Sequence, residues 1–174
     1  MGLHGEEGGR FLVICSELED FPEEALAEIR QERLLGTESD MAFPPCKVEL
    51  VLGAPGRLYV VLPTGVETAL PFACNAPFIQ DPARMKIKDP ETSPTNQWLL
   101  ERTGRLAARA MLGWLGNEAL ANDERAKAYD LLSNVDRNDN ALEGVCASIA
   151  ECALHEAMGD VDMLLTHAGK LGQI

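Results

Sequence analysis

The sequence predicts an α+β fold, with a small β sheet and one or two helices followed by a helical bundle. Three observations predict it. Short apolar runs broken by Pro and Gly occupy residues 47–78, as strands separated by turns do. A segment with helix-start signals lies between the first two strand candidates. From Asn96 onward the apolar residues recur at helical spacing, through to Met158.

The elements follow in order. Residues 1–10 are Gly-rich and polar and read as a flexible lead-in, and their GEEGG does not match a phosphate-cradling loop. Phe11–Cys15 reads as a strand. Asp20 is expected to cap a helix, with Pro22 in its first turn and Glu23 completing a capping box. Ala25, Leu26, Ile29, Arg33 and Leu34 give that helix its stripe, and Gly36 ends it. Lys47–Leu52 is the next strand, and Ala54-Pro55-Gly56 turns it into a third at Leu58–Leu62. A turn at Pro63-Thr64-Gly65 then leads into a fourth run, Val66–Phe72, interrupted by Pro71. The module is therefore β-α-β-β-β over residues 11–90.

A polar linker with two prolines precedes the helical module, residues 95–174. Trp98, Leu99, Arg102, Leu106, Ala110, Trp114 and Leu115 trace one helix up to Gly116. A second runs from Asn122 to Leu132, and a third from Asn140 or Ala141 to Met158. Residues 136–140 lack the Gly and Glu of a calcium loop, having Ala141 and Ala147 in those places, and read as a turn. Val161–Leu165 and Leu171 predict a short hairpin around residues 167–170. The chain stops with an extended element just begun, which suggests a fragment of a larger polypeptide.

Composition sets limits on function. The 174 residues suit one domain, or one with a helical appendage. Fifteen basic against 28 acidic residues give a net charge of −13, which argues against nucleic-acid binding. Five cysteines without CxxC spacing, and no signal peptide or long apolar span, predict reduced thiols, no metal site, no membrane association and a cytoplasmic location. The thiols are expected to be small, buried and inert. His155 and His167 have no partner at any triad-like position, so no nucleophilic or acid–base catalysis is assigned.

One stretch carries candidate chemistry. Asp81-Pro82 leads into Arg84 within a short basic patch completed by Lys86 and Lys88, in an otherwise acidic chain. A guanidinium keeps its charge and offers a planar fork to phosphate oxygens. Around it stand Leu62-Pro63-Thr64, Leu70-Pro71-Phe72, Asn75, Phe78 and Asn96. This pattern, over roughly Phe11 to Leu115, resembles the segment after the ATP-binding half in sacsin-like, heat-shock-chaperone-like ATPases of the gyrase, histidine kinase and MutL superfamily. Where those proteins often have Trp-Asn at the helix start, this chain has Thr95-Asn96.

The resemblance implies a ribosomal-protein-like middle or transducer module. It further implies that Arg84, assisted by Lys86 and Lys88, contacts the γ-phosphate of ATP held with Mg in a preceding domain of the same polypeptide. Asn75 and Asn96 are expected to fix backbone turns and cap the helix, with Pro63, Thr64 and Phe78 as structural motif residues. No Asp-x-Gly turn or Gly-rich lid follows in order, so this chain alone is expected to hold no cofactor and to be no enzyme by itself. Arg102, Arg105 and Arg109 are expected to form a solvated basic stripe pairing with surplus carboxylates, or a docking strip for the ATP-binding half. A second function class is a non-catalytic acidic module that binds protein partners or clients.

Overall fold

A computed structural model describes residues 3–4, 10–33, 43–136 and 138–172, and its fold is α+β. The elements are β1 (Leu3–His4), β2 (Arg10–Cys15), α1 (Glu23–Glu32), β3 (Glu49–Leu52), β4 (Arg57–Val60), β5 (Leu62–Glu67) and β6 (Phe72–Asn75). They continue with α2 (Pro94–Leu115), α3 (Asn122–Ala126) running into a 3-10 turn (Lys127–Leu131), α4 (Leu142–Met158), β7 (Leu164–Leu165) and β8 (Leu171–Gly172). The expected end of the first helix at Gly36 lies outside the described residues.

The main sheet has the order β2-β3-β6-β4-β5, with the two-residue β1 added at the β2 edge. All its pairs are antiparallel except β4 with β6, which is parallel. Ile14, Leu50, Cys74 and Leu58 stand opposite one another across four strands. Alternation along a strand puts this row on one face, and α2 covers it. The Cys74 thiol meets the Thr103 hydroxyl of α2 at 3.2 Å, and Leu50, Leu58 and Cys74 are wholly buried. One contiguous core runs from Val48 and Phe72 through Leu99 and Leu106 to Leu154 and Met158.

The central strand is β6, and of it the sequence pattern marks only Phe72, as the end of the expected Val66–Phe72 strand. That run is split. The Thr68 N–H donates to the Gly56 carbonyl at 2.9 Å, and the chain breaks at Pro71 before re-entering the sheet. Pro63-Thr64-Gly65 is likewise not a turn but the middle of β5. Its Thr64 hydroxyl donates to the Leu58 carbonyl at 2.8 Å and accepts from the Val66 N–H at 3.2 Å, satisfying backbone where the register slips. The reversal sits at Val61, at φ 65°. A β-branched residue is poorly suited to that conformation, so no local turn signal marks it.

The helix starts also moved. Glu19 is bridged to Cys46 in both directions, at 2.9 and 3.0 Å, and α1 begins at Glu23 with Pro22 as its N-cap and without a side-chain cap from Asp20. Ser93, not Asn96, caps α2: its hydroxyl accepts from the Asn96 N–H at 3.2 Å, and Pro94 occupies the first helical position. At the other end Gly116 closes α2 as expected. Buried Arg125 donates to the Leu115 carbonyl at 2.7 Å and to the Gly169 carbonyl at 2.8 Å, tying the β7–β8 hairpin to the end of α2.

Candidate functional site

Residues 79–88 form a loop whose every turn is held. The Lys88 N–H donates to the Ile79 carbonyl at 2.8 Å, and the Asp81 N–H to the Lys86 carbonyl at 3.0 Å. Asp81 accepts from the Met85 and Lys86 N–H groups at 2.9 and 3.1 Å, as short polar side chains do in tight turns. Phe78 and Ile87, 3 and 2% exposed, anchor its two ends in the core. The Gly65 N–H of β5 donates to the Met85 carbonyl at 2.6 Å, and a Cβ on Gly65 would lie 3.2 Å from that oxygen.

Asn96 clamps the base of the loop. Its side-chain oxygen accepts from the Ile79 N–H at 2.7 Å, and its amide donates to the Ile79 and Lys88 carbonyls at 2.9 and 2.8 Å. It has no exposed surface, so these three bonds replace all contact with water. Asn75 does similar work nearby: its oxygen accepts from the Val61 N–H at 3.0 Å, and its amide donates to Glu49 at 2.8 Å.

The patch residues fare differently. Lys86 reaches Glu143 at 2.7 Å, and Lys88 is shared between Glu28 and Glu32, both at 2.9 Å. Arg84 sits exposed at φ 55°, with its carbonyl held by the Gln80 amide at 3.2 Å. Among the described residues no side chain pairs with its guanidinium. Asp81, Asp89, Glu32, Arg84 and Lys88 share an open groove of about 710 Å³. Three carboxylates against two cations, one already bound, make the groove a poor seat for a polyphosphate. Arg84 is therefore left facing solvent at the rim of the groove.

A third polar centre joins α1 to the loop. The Glu28 carboxylate, 8% exposed, accepts from Lys88, from the Ser93 hydroxyl at 2.9 Å and from the Thr95 N–H at 3.0 Å. Burial alone would push its pKa up, but the bonds from Lys88, Thr95 and Ser93 together hold it below the ordinary 4.5. A carboxylate depressed in the folded state stabilises the fold above its unfolded pKa and loses that contribution as pH falls through the folded value. Glu28→Gln is accordingly expected to cost roughly 1–3 kcal/mol at pH 7. The gap to the parent should narrow progressively as pH falls below the ordinary 4.5, as urea midpoints measured from pH 7 to 3 would show; a gap constant across that range would contradict this account.

The arginine stripe of α2 is split. Arg102 is buried: its Nε meets Glu19 at 2.9 Å, its Nη1 the Cys46 carbonyl and thiol at 3.1 and 3.3 Å, and its Nη2 Ser16 and the Glu17 carbonyl at 3.1 and 3.0 Å. It also stacks on Trp98, 4.7 Å from the ring centroid. Arg105 and Arg109 remain exposed, the former 3.6 Å from Glu101. Trp98 and Trp114 pack against the core.

All five thiols are free, but only Cys74 and Cys146 match the buried description, and burial pushes both to about 12. Cys46 is half-buried, and Cys15 and Cys152 are exposed. His155 and His167 are exposed. In the Asp136 turn the carboxylates accept backbone N–H groups, Asn138 on Asp136 at 3.0 Å and Ala141 on Asp139 at 2.9 Å. Among the described residues no cluster of His, Cys, Asp and Glu could hold a metal, and no helix is long and apolar enough to cross a membrane.

Glu28, Ser93 and Arg125 escaped the sequence reading. Ser93-Pro94 is a cap-and-first-position signal that marks Ser93; Glu28 and Arg125 sit among ordinary helical charges and carry none. Comparison with protein-family models, curated proteins and solved structures finds no match for this chain.

Proposed function

We propose that this chain is the transducing module of a sacsin-like, heat-shock-chaperone-like ATPase, cytoplasmic, with Arg84 completing an ATP–Mg site in a preceding domain. The observation that carries this reading is Arg84 itself: exposed, unpaired among the described residues, and raised on a loop whose base is clamped by buried Asn96. A cation presented so rigidly can stabilise charge on a departing phosphoryl group without reorganising. Lys86 and Lys88 support the loop through Glu143, Glu28 and Glu32 rather than reaching the phosphate. Asn96 also lies in the first turn of α2, so a load on the loop passes into a helix of 22 residues.

The test is Arg84→Ala in the natural full-length polypeptide. Turnover should fall roughly 10²–10³-fold, with nucleotide affinity and folding near the parent's. Arg84→Lys should recover only part, since it keeps charge but loses the fork. Turnover at the parent rate in Arg84→Ala would remove this reading. The second reading, a non-catalytic acidic module for protein partners or clients, would then replace it; the exposed apolar tip at Val61 and Leu62 favours it.

A further inference from the structure

A cleft of about 290 Å³ opens between the C-terminal half of α1, residues 43–46 and residues 77–79. That is the size at which small-ligand pockets begin, roughly 300 Å³. Phe21, Phe43 and Phe78 line it, and Pro44, Pro45 and Pro77 complete much of the wall. Proline has no N–H, so these segments offer few donors to an occupant. The body of a ligand held here must therefore be apolar.

The walls are fixed before anything binds. Phe78 and Ile29 are 3 and 8% exposed. Asn96 holds both backbone groups of Ile79, and the Cys46 backbone is bonded to Glu19 in both directions. Arg102 takes the Cys46 carbonyl and thiol as well. Phe21 rests against Trp98, with ring centroids 5.3 Å apart. A cleft so held has little freedom left to lose when it fills.

Charge at the mouth narrows the class of ligand. Arg33 caps the C-terminal end of α1, with its guanidinium 5.2 Å from the centroid of the Phe43 ring. Among the described residues no carboxylate pairs with it. The other charged group of the lining, Glu32, already accepts from Lys88 at 2.9 Å. A cationic ligand would find the Phe43 face taken and a like charge beside it. An anion would find a planar fork of N–H donors, the geometry that suits a carboxylate.

We propose that this cleft binds an amphipathic carboxylate, with its apolar tail among Phe21, Phe43 and Phe78 and its carboxylate on Arg33. Arg84 lines a different groove, so this site stands or falls apart from the function proposed above.

Decanoate is the probe, and decanol, with the same chain length and no charge, is its control. Iodoacetamide labelling followed by mass spectrometry reads the cleft through Cys46, which lines it. Burial pushes that thiol up, so labelling is run at mildly alkaline pH. Exposed Cys15 and Cys152 serve as internal controls. In the 174-residue chain, decanoate at about ten times its Kd should slow Cys46 labelling roughly tenfold by mass action and leave Cys15 and Cys152 unchanged. Decanol should bind about tenfold more weakly, for want of charge-assisted hydrogen bonds. Arg33→Ala should bring decanoate down to the decanol level, and Phe43→Ala should weaken both. Arg33 is exposed and Phe43 half-buried, so both variants should fold, as urea midpoints near the parent's would show. Decanoate binding that does not saturate, an unprotected Cys46, or equal slowing of all three thiols would overturn the site. Equal affinity for decanoate and decanol, or parental decanoate affinity in Arg33→Ala, would overturn it as a carboxylate site.

Discussion

Gly104→Ala is expected to destabilise the chain by about 4 kcal/mol, at the far end of what single substitutions do. On an exposed helix the same change would stabilise by roughly 0.5–1 kcal/mol, because alanine is the better helix former. Here packing decides. A Cβ at position 104 would lie 2.0 Å from the Ala150 carbonyl, 2.8 Å from the Leu154 nitrogen and 2.9 Å from the Ala153 Cβ. Two of these three are backbone atoms, so no side-chain rotation makes room. α2 and α4 would have to separate, loosening Ala107, Met111, Ala147 and Leu154, all buried in the shared core. Urea denaturation measures the loss, and a melting temperature lower by roughly 10 °C should accompany it. A Gly104→Ala chain as stable as the parent would mean that the helices do not touch at this point.

Arg102→Ala should cost about 3–5 kcal/mol. Little of this comes from the ion pair, since Glu19 is 58% exposed and solvent screens it. The larger share comes from what the guanidinium satisfies. The carbonyls of Cys46 and Glu17 and the hydroxyl of Ser16 all accept from it, joining the two segments that flank α1 to the body of α2. The Trp98 face would lose its cation as well. Arg102→Lys should rescue little, because an ammonium cannot span Nη1 and Nη2 partners together. Arg105→Ala and Arg109→Ala should each stay within about 0.5 kcal/mol of the parent. Chemical denaturation of the three variants separates these outcomes; equal losses for all three would restore the picture of a solvated stripe.

Local chemistry made much of the fold legible. The apolar run at Phe11–Cys15, the helical spacing from Trp98 to Leu115 and the turn residues at 167–170 each favour one backbone state within a few residues. The α+β class, the helix ends at Gly116 and Met158 and the terminal hairpin follow from such signals. The Asp81-Pro82 turn likewise marked Arg84 as a presented side chain.

What needed the tertiary structure is what joins distant segments. The reversal at Val61 exists because Asn75, 14 residues away, holds its N–H. Thr64 reads as a turn residue by type, yet its hydroxyl serves a bulged strand because Leu58 lies alongside. Arg102, Arg105 and Arg109 carry the same charge on one helix, and only the approach of residues 16–19 and 46 buries the first of them. Lys86 and Lys88 look free in the sequence because their carboxylates stand 57, 60 and 56 residues away. The sequence by itself determined the α+β class, the long helix that ends before Gly116 and the terminal hairpin, because each rests on signals within a few residues. The tertiary structure alone decided which charges are consumed internally, because pairing depends on separation in space, and that leaves Arg84 as the loop's unpaired cation among the described residues.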